Sequence, residues 1–231
     1  MANKGQSGLL TVGLDRSAIR AREDYVKAIY QLGGGSPVRA AEVARYLSVS
    51  RVSVSKAKRL LESDGLLEEA GVPSAPMRLT ARGRKLAVAM VRRHRILETF
   101  LHHSLHVPLE RIHAEAERIE HVVSDNIALR IAAMLGNPRR DPHGHPIPYG
   151  DATTQVKPLP SLAAVMAGKE ARVVSLDDRD DRAVALLAGD GILPGRRLRV
   201  ERNDAGGVRV RVGKRVLTLR PRHAELVRVE R

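Results

Sequence analysis

The chain has 231 residues, 43% of them hydrophobic but only 2% aromatic, and no cysteine. Any core is therefore built from Leu, Val, Ile and Ala, and disulfides, thiolate zinc sites and iron–sulfur clusters are excluded. The formal net charge of +14 favours a polyanionic partner, because cations that neutralise phosphates release condensed counterions.

Residues 1–15 read as a mobile tail without the apolar core of a signal peptide. A helix is predicted from about Ser17 to Leu32, with Tyr25, Ile29 and Leu32 on one face. Gly33-Gly34-Gly35-Ser36-Pro37 stops it. A short helix follows over Ala40–Leu47. Ser50 is placed to cap a helix from Arg51 to Ser63, which Asp64-Gly65 ends. Leu66 to Thr80 reads as a small β-hairpin, and Thr80 caps a long helix to about Leu105. Pro108 opens another helix that reaches about Leu135. Residues 137–160 carry six prolines and read as a linker. Alternation then predicts strands over Ala171–Leu176, Arg197–Arg202, Val208–Val212, Val216–Leu219 and Leu226–Val229, with a turn at Gly213-Lys214 and a short helix near Arg182–Ala188. This is the pattern of a small β-barrel. No apolar run approaches the ~20 residues needed to cross a bilayer, and the lack of Cys fits a reducing cytoplasm.

Helix, turn, helix and hairpin is the order of a winged helix. Val43, Ala44 and Leu47 are expected to pack against Val54, Ala57 and Leu61. The opposite face of the second helix holds Arg51, Ser53, Ser55, Lys56 and Arg59, with Ser50 at its start and Arg39 before the preceding helix. Hydroxyls and cations near a helix N-terminus reach base edges and phosphates in a major groove. A solvated basic face competes equally for this helix alone; the turn, the wing and the net charge favour DNA.

Two later segments carry ligand-type residues at helical spacing. His94 and Glu98 are i, i+4. His113, Glu117 and His121 form one stripe with Glu120 beside it, next to an apolar stripe of Ile112, Ala116, Ile119 and Val123. A carboxylate at the edge of buried surface is costly unless a cation joins it. One His-x3-Glu pair is an ordinary amphipathic pattern; two sets on adjacent helices are more specific, and Asp24 on the first helix is placed to join them. Oxygen and imidazole donors without sulfur suit Mn(II) or Fe(II), and Zn(II) binds the same groups. His102, His103, His106, His143, His145 and His223 are expected at surfaces or in the linker.

The segments Val91-Arg-Arg-His-Arg-Ile-Leu-Glu-Thr-Phe-Leu, Ile112-His-Ala-Glu-Ala-Glu-Arg-Ile-Glu-His-Val-Val-Ser-Asp and Asp141-Pro-His-Gly-His-Pro-Ile-Pro resemble the diphtheria-toxin-repressor family of iron- and manganese-dependent regulators, closely over residues 20–150. The resemblance implies a mainly α architecture with a small β domain. A tail and winged helix-turn-helix domain would occupy 1–80, a helical metal-binding and dimerisation domain 81–150, a linker 151–160 and an SH3-like domain 161–231. It implies one metal position at Asp24, Glu117, Glu120 and His121, and another at His94, Glu98 and His113. Carboxylates at Asp24 and Glu117, where the iron-sensing branch has sulfur, are similar to the manganese-sensing branch. Two departures stand out. Lys27 replaces a carboxylate of the two-domain manganese regulators. The family's C-terminal ligands align near Arg179 and Arg182, leaving Asp177, Asp178, Asp180 or Asp181 as substitutes. The expectation is a cytoplasmic homodimer that binds double-stranded DNA at a palindromic operator when Mn(II) is bound, repressing metal uptake. An iron-activated repressor is the alternative. Rivals are a regulator answering an organic effector and a di-metal enzyme, although Glu117 to His121 is one residue longer than a Glu-x-x-His pair.

Overall fold

A computed structural model describes residues 16–72, 74–150 and 159–230. The predicted tail and residues 151–158 of the predicted linker lie outside the described residues. The chain divides into two compact units, Met1–Arg84 and Lys85–Arg231.

In the first unit, α1 spans Arg16–Gly33, α2 Ala40–Tyr46 and α3 Arg51–Ser63. The buried residues of α1 centre on Val26 and Ile29; Leu32, expected on that face, is exposed because it lies in the last turn. Ser50 caps α3, its Oγ accepting from the Ser53 amide at 3.1 Å. Val43 and Ala44 pack with Val54 and Leu61 in the core. The predicted hairpin forms through an isolated antiparallel bridge, Leu67 with Leu79, rather than long strands, and Met77 bridges back to Val38, which precedes α2. Lys58 is one of the four cations of α3, but it is buried. Its ammonium donates to the carbonyls of Val72 (3.2 Å) and Ala75 (3.1 Å), anchoring the hairpin tip.

Thr80 caps α4 (Ala81–Leu105) by accepting from the Gly83 amide at 3.0 Å. The helix expected to run from Pro108 to Leu135 is two helices, α5 (Leu109–Ile119) and α6 (Asp125–Met134). Two side chains make the break. Ser124 caps α6, its Oγ accepting from the Ile127 amide. Arg93 donates to the Glu120 carbonyl at 2.8 Å, a partner for a group that a continuous helix would have bonded internally, and to Asp125 Oδ1 at 2.7 Å, which holds the first turn of α6. Leu97 and Leu101 pack on Ile112 and Ala116 between α4 and α5.

Residues 137–150, expected from their prolines to be part of a linker, are folded. Ile147 joins Ile96, Ala128 and Ala132 in a core cluster. The Asp141–His145 turn is closed by the Asp141 amide donating to the His145 carbonyl at 3.0 Å and the His145 amide donating to Asp141 Oδ1 at 2.9 Å. The prolines limit this segment's backbone freedom, and buried contacts fix the rest.

The C-terminal sheet is antiparallel, in the order β4-β3-β2-β1-β5. Its strands are β1 Glu170–Leu176, β2 Arg197–Asp204, β3 Gly207–Val212, β4 Arg215–Leu219 and β5 Val227–Glu230, with α7 over Asp181–Gly189 and α8 over Pro221–Glu225. Alternating Val and Leu bury one face around Leu162, Leu176, Leu187 and Ile192. This is the expected SH3-like domain. The 141–145 turn docks on β1. The Leu176 amide donates to the His143 carbonyl at 2.9 Å, and Gly144, at φ +92°, lies so close that a Cβ would meet the Val174 carbonyl oxygen at 2.0 Å. Gly144→Ala should therefore destabilise the second unit by about 3–4 kcal/mol, since backbone must move. Gly136→Ala, also at positive φ but facing open space, should cost about 1–2 kcal/mol. Urea unfolding checks both; equal losses would contradict the packing account.

Candidate metal centre

Four segments of the second unit place ionisable side chains in one buried pocket. From α4, consecutive helical turns carry His94 and Glu98; Glu98 is 0% exposed and His94 3%. From α5 comes His113. From the turn before the sheet come Asp141, His143 and His145. From the connection between β1 and α7 comes Asp178. His94, Glu98, His113 and Asp178 each offer a ligand atom, all within 4.8 Å of one another.

His94 Nε2 lies 3.0 Å from Glu98 Oε1 and 3.1 Å from His113 Nδ1. His94 Nδ1 lies 2.7 Å from Glu120 Oε2. An ionised Glu120 only accepts, so Nδ1 carries a proton, and once Nε2 gives up its own proton the lone pair there faces the pocket. A carboxylate behind an imidazole in this way is the usual support of a ligating histidine. His113 Nδ1 also lies 3.3 Å from Glu98 Oε1 and 3.5 Å from Asp178 Oδ2. Glu98 Oε2 has no hydrogen-bond partner. A buried carboxylate oxygen without a donor is costly, and a cation removes that cost. The donor set, oxygens and imidazoles only, fits a hard or borderline divalent ion.

Burial alone would raise the pKa of Glu98, but the charge of His94, hydrogen bonds from His113 and His94, and the nearby His143 ring, 3.6 Å away, hold it well below the usual carboxylate range. Asp178 is likewise lowered against its burial, by the charge of His145 and the hydrogen bond to His113. Burial would lower His113; the hydrogen bonds and charges of Asp178 and Glu98 overcome this and push it up to about 11. Burial would lower His145 too, and the charges of Asp141 and Asp178 push it up to about 9.

His94, Glu98 and His113 are thus brought together, the grouping that the family resemblance implied. Glu120, expected in the other set, is buried behind His94. Its neighbour His121 is half-buried, with Nε2 3.5 Å from Glu120 Oε1. Glu117 is exposed, with Oε1 3.6 Å from His113 Nε2. Asp24 is half-buried on α1 of the first unit, 4.0 Å from Arg20. Among the four Asp candidates of the C-terminal domain, Asp177 pairs with Arg179 at 2.8 Å, Asp180 caps α7 by accepting from Ala183 at 3.0 Å, and Asp181 is exposed. Asp178 alone of these enters the pocket. His143 and His145, expected at the surface or in the linker, are in the pocket, and His143 is completely buried. His223 is buried as well, in the C-terminal domain. Sequence reasoning misplaces these three because folding of the Pro-rich turn and burial of α8 are tertiary effects. The signal available for the first two is the Asp-Pro-His-Gly-His run itself.

On the DNA-candidate face, Arg51, Ser55, Lys56 and Arg59 are exposed and Ser53 is half-buried. Ser50 is engaged as a cap, and the Ser55 hydroxyl donates to the Arg51 carbonyl at 3.0 Å. Arg39 is exposed at the start of α2, its amide held by Glu42 at 2.8 Å.

Three family models match successive segments: an iron dependent repressor N-terminal DNA binding domain over residues 19–72, an iron dependent repressor metal binding and dimerisation domain over 80–149, and a FeoA domain over 161–231. The iron-dependent repressor IdeR of Mycobacterium tuberculosis is 36% identical over 225 residues, covering 90% of this chain and 96% of its own. The diphtheria toxin repressor of Corynebacterium diphtheriae is 36% identical over 135 residues, 58% of each chain. A solved structure described as a manganese-dependent transcriptional repressor in complex with manganese superposes with a TM-score of 0.80 at 36% identity, covering 90% of this chain and 99% of that one.

The pocket sets a pH dependence. Because the metal-free His113 keeps its proton up to about pH 11, a cation that takes its Nδ1 at neutral pH must displace that proton. Mn(II) binding should release protons and strengthen with rising pH between about 6.5 and 8.5, by up to ~tenfold per unit for each proton displaced. Calorimetry in buffers of different ionisation enthalpy measures this; a heat independent of buffer would contradict it.

Proposed function

The chain belongs to the iron-dependent repressor family, as a metal-dependent DNA-binding transcriptional repressor, and from that premise we propose that its activating metal is Mn(II). The observation that carries this is the all-oxygen and imidazole pocket of His94, Glu98, His113 and Asp178, in a chain that offers no cysteine. When bound, a divalent cation supplies the positive charge that buried Glu98 and Asp178 otherwise take from protonated histidines. Glu120 orients His94, and the connection carrying Asp178 ties the sheet to α4 and α5. We assign a second position to Asp24, Glu117, Glu120 and His121 on the resemblance of their sequence motifs. Carboxylates at Asp24 and Glu117 favour manganese over the iron to which IdeR answers.

The regulator acts as a cytoplasmic homodimer on a palindromic operator, with no catalytic step. α6 exposes Ile127, Leu129 and Met134, apolar surface that a second copy would cover. Arg51, Lys56 and Arg59, with Arg39, Ser50, Ser53 and Ser55, form the DNA contact, positioned by phosphates and read through base edges. Metal shifts an equilibrium between DNA-competent and incompetent arrangements, to the extent that it binds the first more tightly.

The test is operator affinity by fluorescence anisotropy, on a duplex selected from random DNA by the protein with Mn(II). Parallel titrations use Mn(II), Fe(II) and Zn(II). Mn(II) should activate at concentrations where Fe(II) does not; activation by Fe(II) alone would assign the protein to the iron branch. Lys56→Ala should weaken binding about tenfold and reduce the salt slope by about one, with Mn(II) stoichiometry unchanged. Asp24→Ala should retain the weak metal-free DNA binding and lose the response to Mn(II). An unchanged Mn(II) response in Asp24→Ala would remove Asp24 from the switch, and no response to any of the three metals in the unaltered protein would favour an organic effector.

A further inference from the structure

We infer that the pocket is built for a pair of divalent cations, the second held by Glu98, Asp141 and His143 beside the one assigned to His94, Glu98, His113 and Asp178. The inference rests on the reading of the latter four as a cation site and extends it.

Two independent observations carry it. One is position: Glu98, Asp141 and His143 each turn a ligand atom into a common space, all within 4.8 Å of one another, and all three residues are buried. The other is orphaned valence. Among the described residues, the buried side-chain atoms without a hydrogen-bond partner are Glu98 Oε2, Asp141 Oδ2, His143 Nδ1 and, in the first unit, Arg22 Nε. Three of the four belong to this one triad. A folded protein leaves few such atoms, and each asks for a missing partner.

The chemistry of each orphan is that of a ligand. His143 Nε2 lies 3.0 Å from the Leu109 carbonyl, which can only accept, so Nε2 carries the proton. In the neutral ring Nδ1 is then a lone pair, aimed at Glu98 Oε1 and Asp178 Oδ2 at 3.6 Å each. Three acceptors facing one another at this distance repel unless a proton or a cation lies between them. Ligand atoms around an ion with bonds of ~2.0–2.2 Å stand roughly 3 Å or more apart, so the spacing leaves room for an ion with little movement. Asp141 is oriented by its own turn. Its Oδ1 accepts from the His145 amide at 2.9 Å, leaving Oδ2 toward the pocket. Arg95 Nε and His145 Nδ1 face Oδ2 at 3.6 and 3.4 Å, too far to satisfy it fully. Glu98 is the bridge. Oε1 faces His94 at 3.0 Å, His113 at 3.3 Å and His143 at 3.6 Å, and Oε2, buried and without a hydrogen-bond partner, is left as a second donor on the same carboxylate. His145, with Nδ1 3.5 Å from Asp178 Oδ2, stands ready as a further donor.

The class of ligand is a hard divalent cation, with Mn(II) as the probe. Crystals of the full chain grown with Mn(II) should show two anomalous peaks in the pocket, one on each side of Glu98. In solution, electron paramagnetic resonance should show a magnetically coupled Mn(II) pair. His143→Gln and, as a second variant, Asp141→Asn should each lose one equivalent of Mn(II) by equilibrium dialysis and convert the coupled signal to that of isolated ions. A single peak beside His94 and His113, with stoichiometry and spectrum unchanged in both variants, would overturn the second ion while leaving the first. That result would mean His143 meets the carboxylates with a proton. No Mn(II) at either position would instead overturn the cation reading of the pocket, and this inference with it.

Discussion

The Glu98 carboxylate is fully buried, on the long helix α4. Moving a carboxylate from water into a protein interior costs several kcal/mol even after relaxation, and the second unit is arranged around meeting that cost. His94 reaches it from one turn earlier on the same helix, His113 from α5, and His143 from the turn that precedes the sheet. The carboxylate therefore joins elements that hydrophobic contacts alone would bring together less specifically. Remove it, and three imidazoles and Asp178 lose their common centre.

The unusual features of the surrounding fold follow from that centre. The break between α5 and α6 lets Glu120 sit at a helix end, where its backbone carbonyl is taken by Arg93 and its side chain supports His94. The close seating of Gly144 on Val174 brings His143 and Asp178 to the same depth, because a side chain at 144 would hold the turn off the strand. The Leu176 amide on the His143 carbonyl fixes the register two residues before Asp178. Packing places these groups, and electrostatics decides which protonation states and ions the place accepts.

Much of this is legible in the sequence. Periodicity and caps locate the helices, since Ser50 and Thr80 act locally and α4 follows a 3.6-residue pattern. Strand alternation locates all five strands because one face of the sheet is buried and the other is not. The i, i+4 spacing of His94 and Glu98 marks one wall of the pocket, and the resemblance of its segment to the family adds His113. What fails is whatever depends on distant partners. Nothing near residue 120 in the sequence announces that Arg93, 27 positions earlier, will stabilise a helix break. The Pro-rich stretch of 137–150 has the composition of a linker, and its burial depends on Ile96, Ala128 and Ala132. His143 and His145 are misplaced for the same reason. Asp178 separates from its three acidic neighbours only once Arg179 is seen to hold Asp177 and α7 to use Asp180 as its cap.

A cation in this pocket would fasten the SH3-like domain to the helices through Asp178. Hydrogen exchange of the full chain with and without Mn(II) tests this most directly, because the Leu176 amide reports the joint between turn and sheet and α5 reports the other wall. Protection of Leu176 and of residues 109–116 should rise on adding Mn(II) and should not rise in Asp178→Asn. Equal exchange with and without the metal, or an equal gain in Asp178→Asn, would contradict the account.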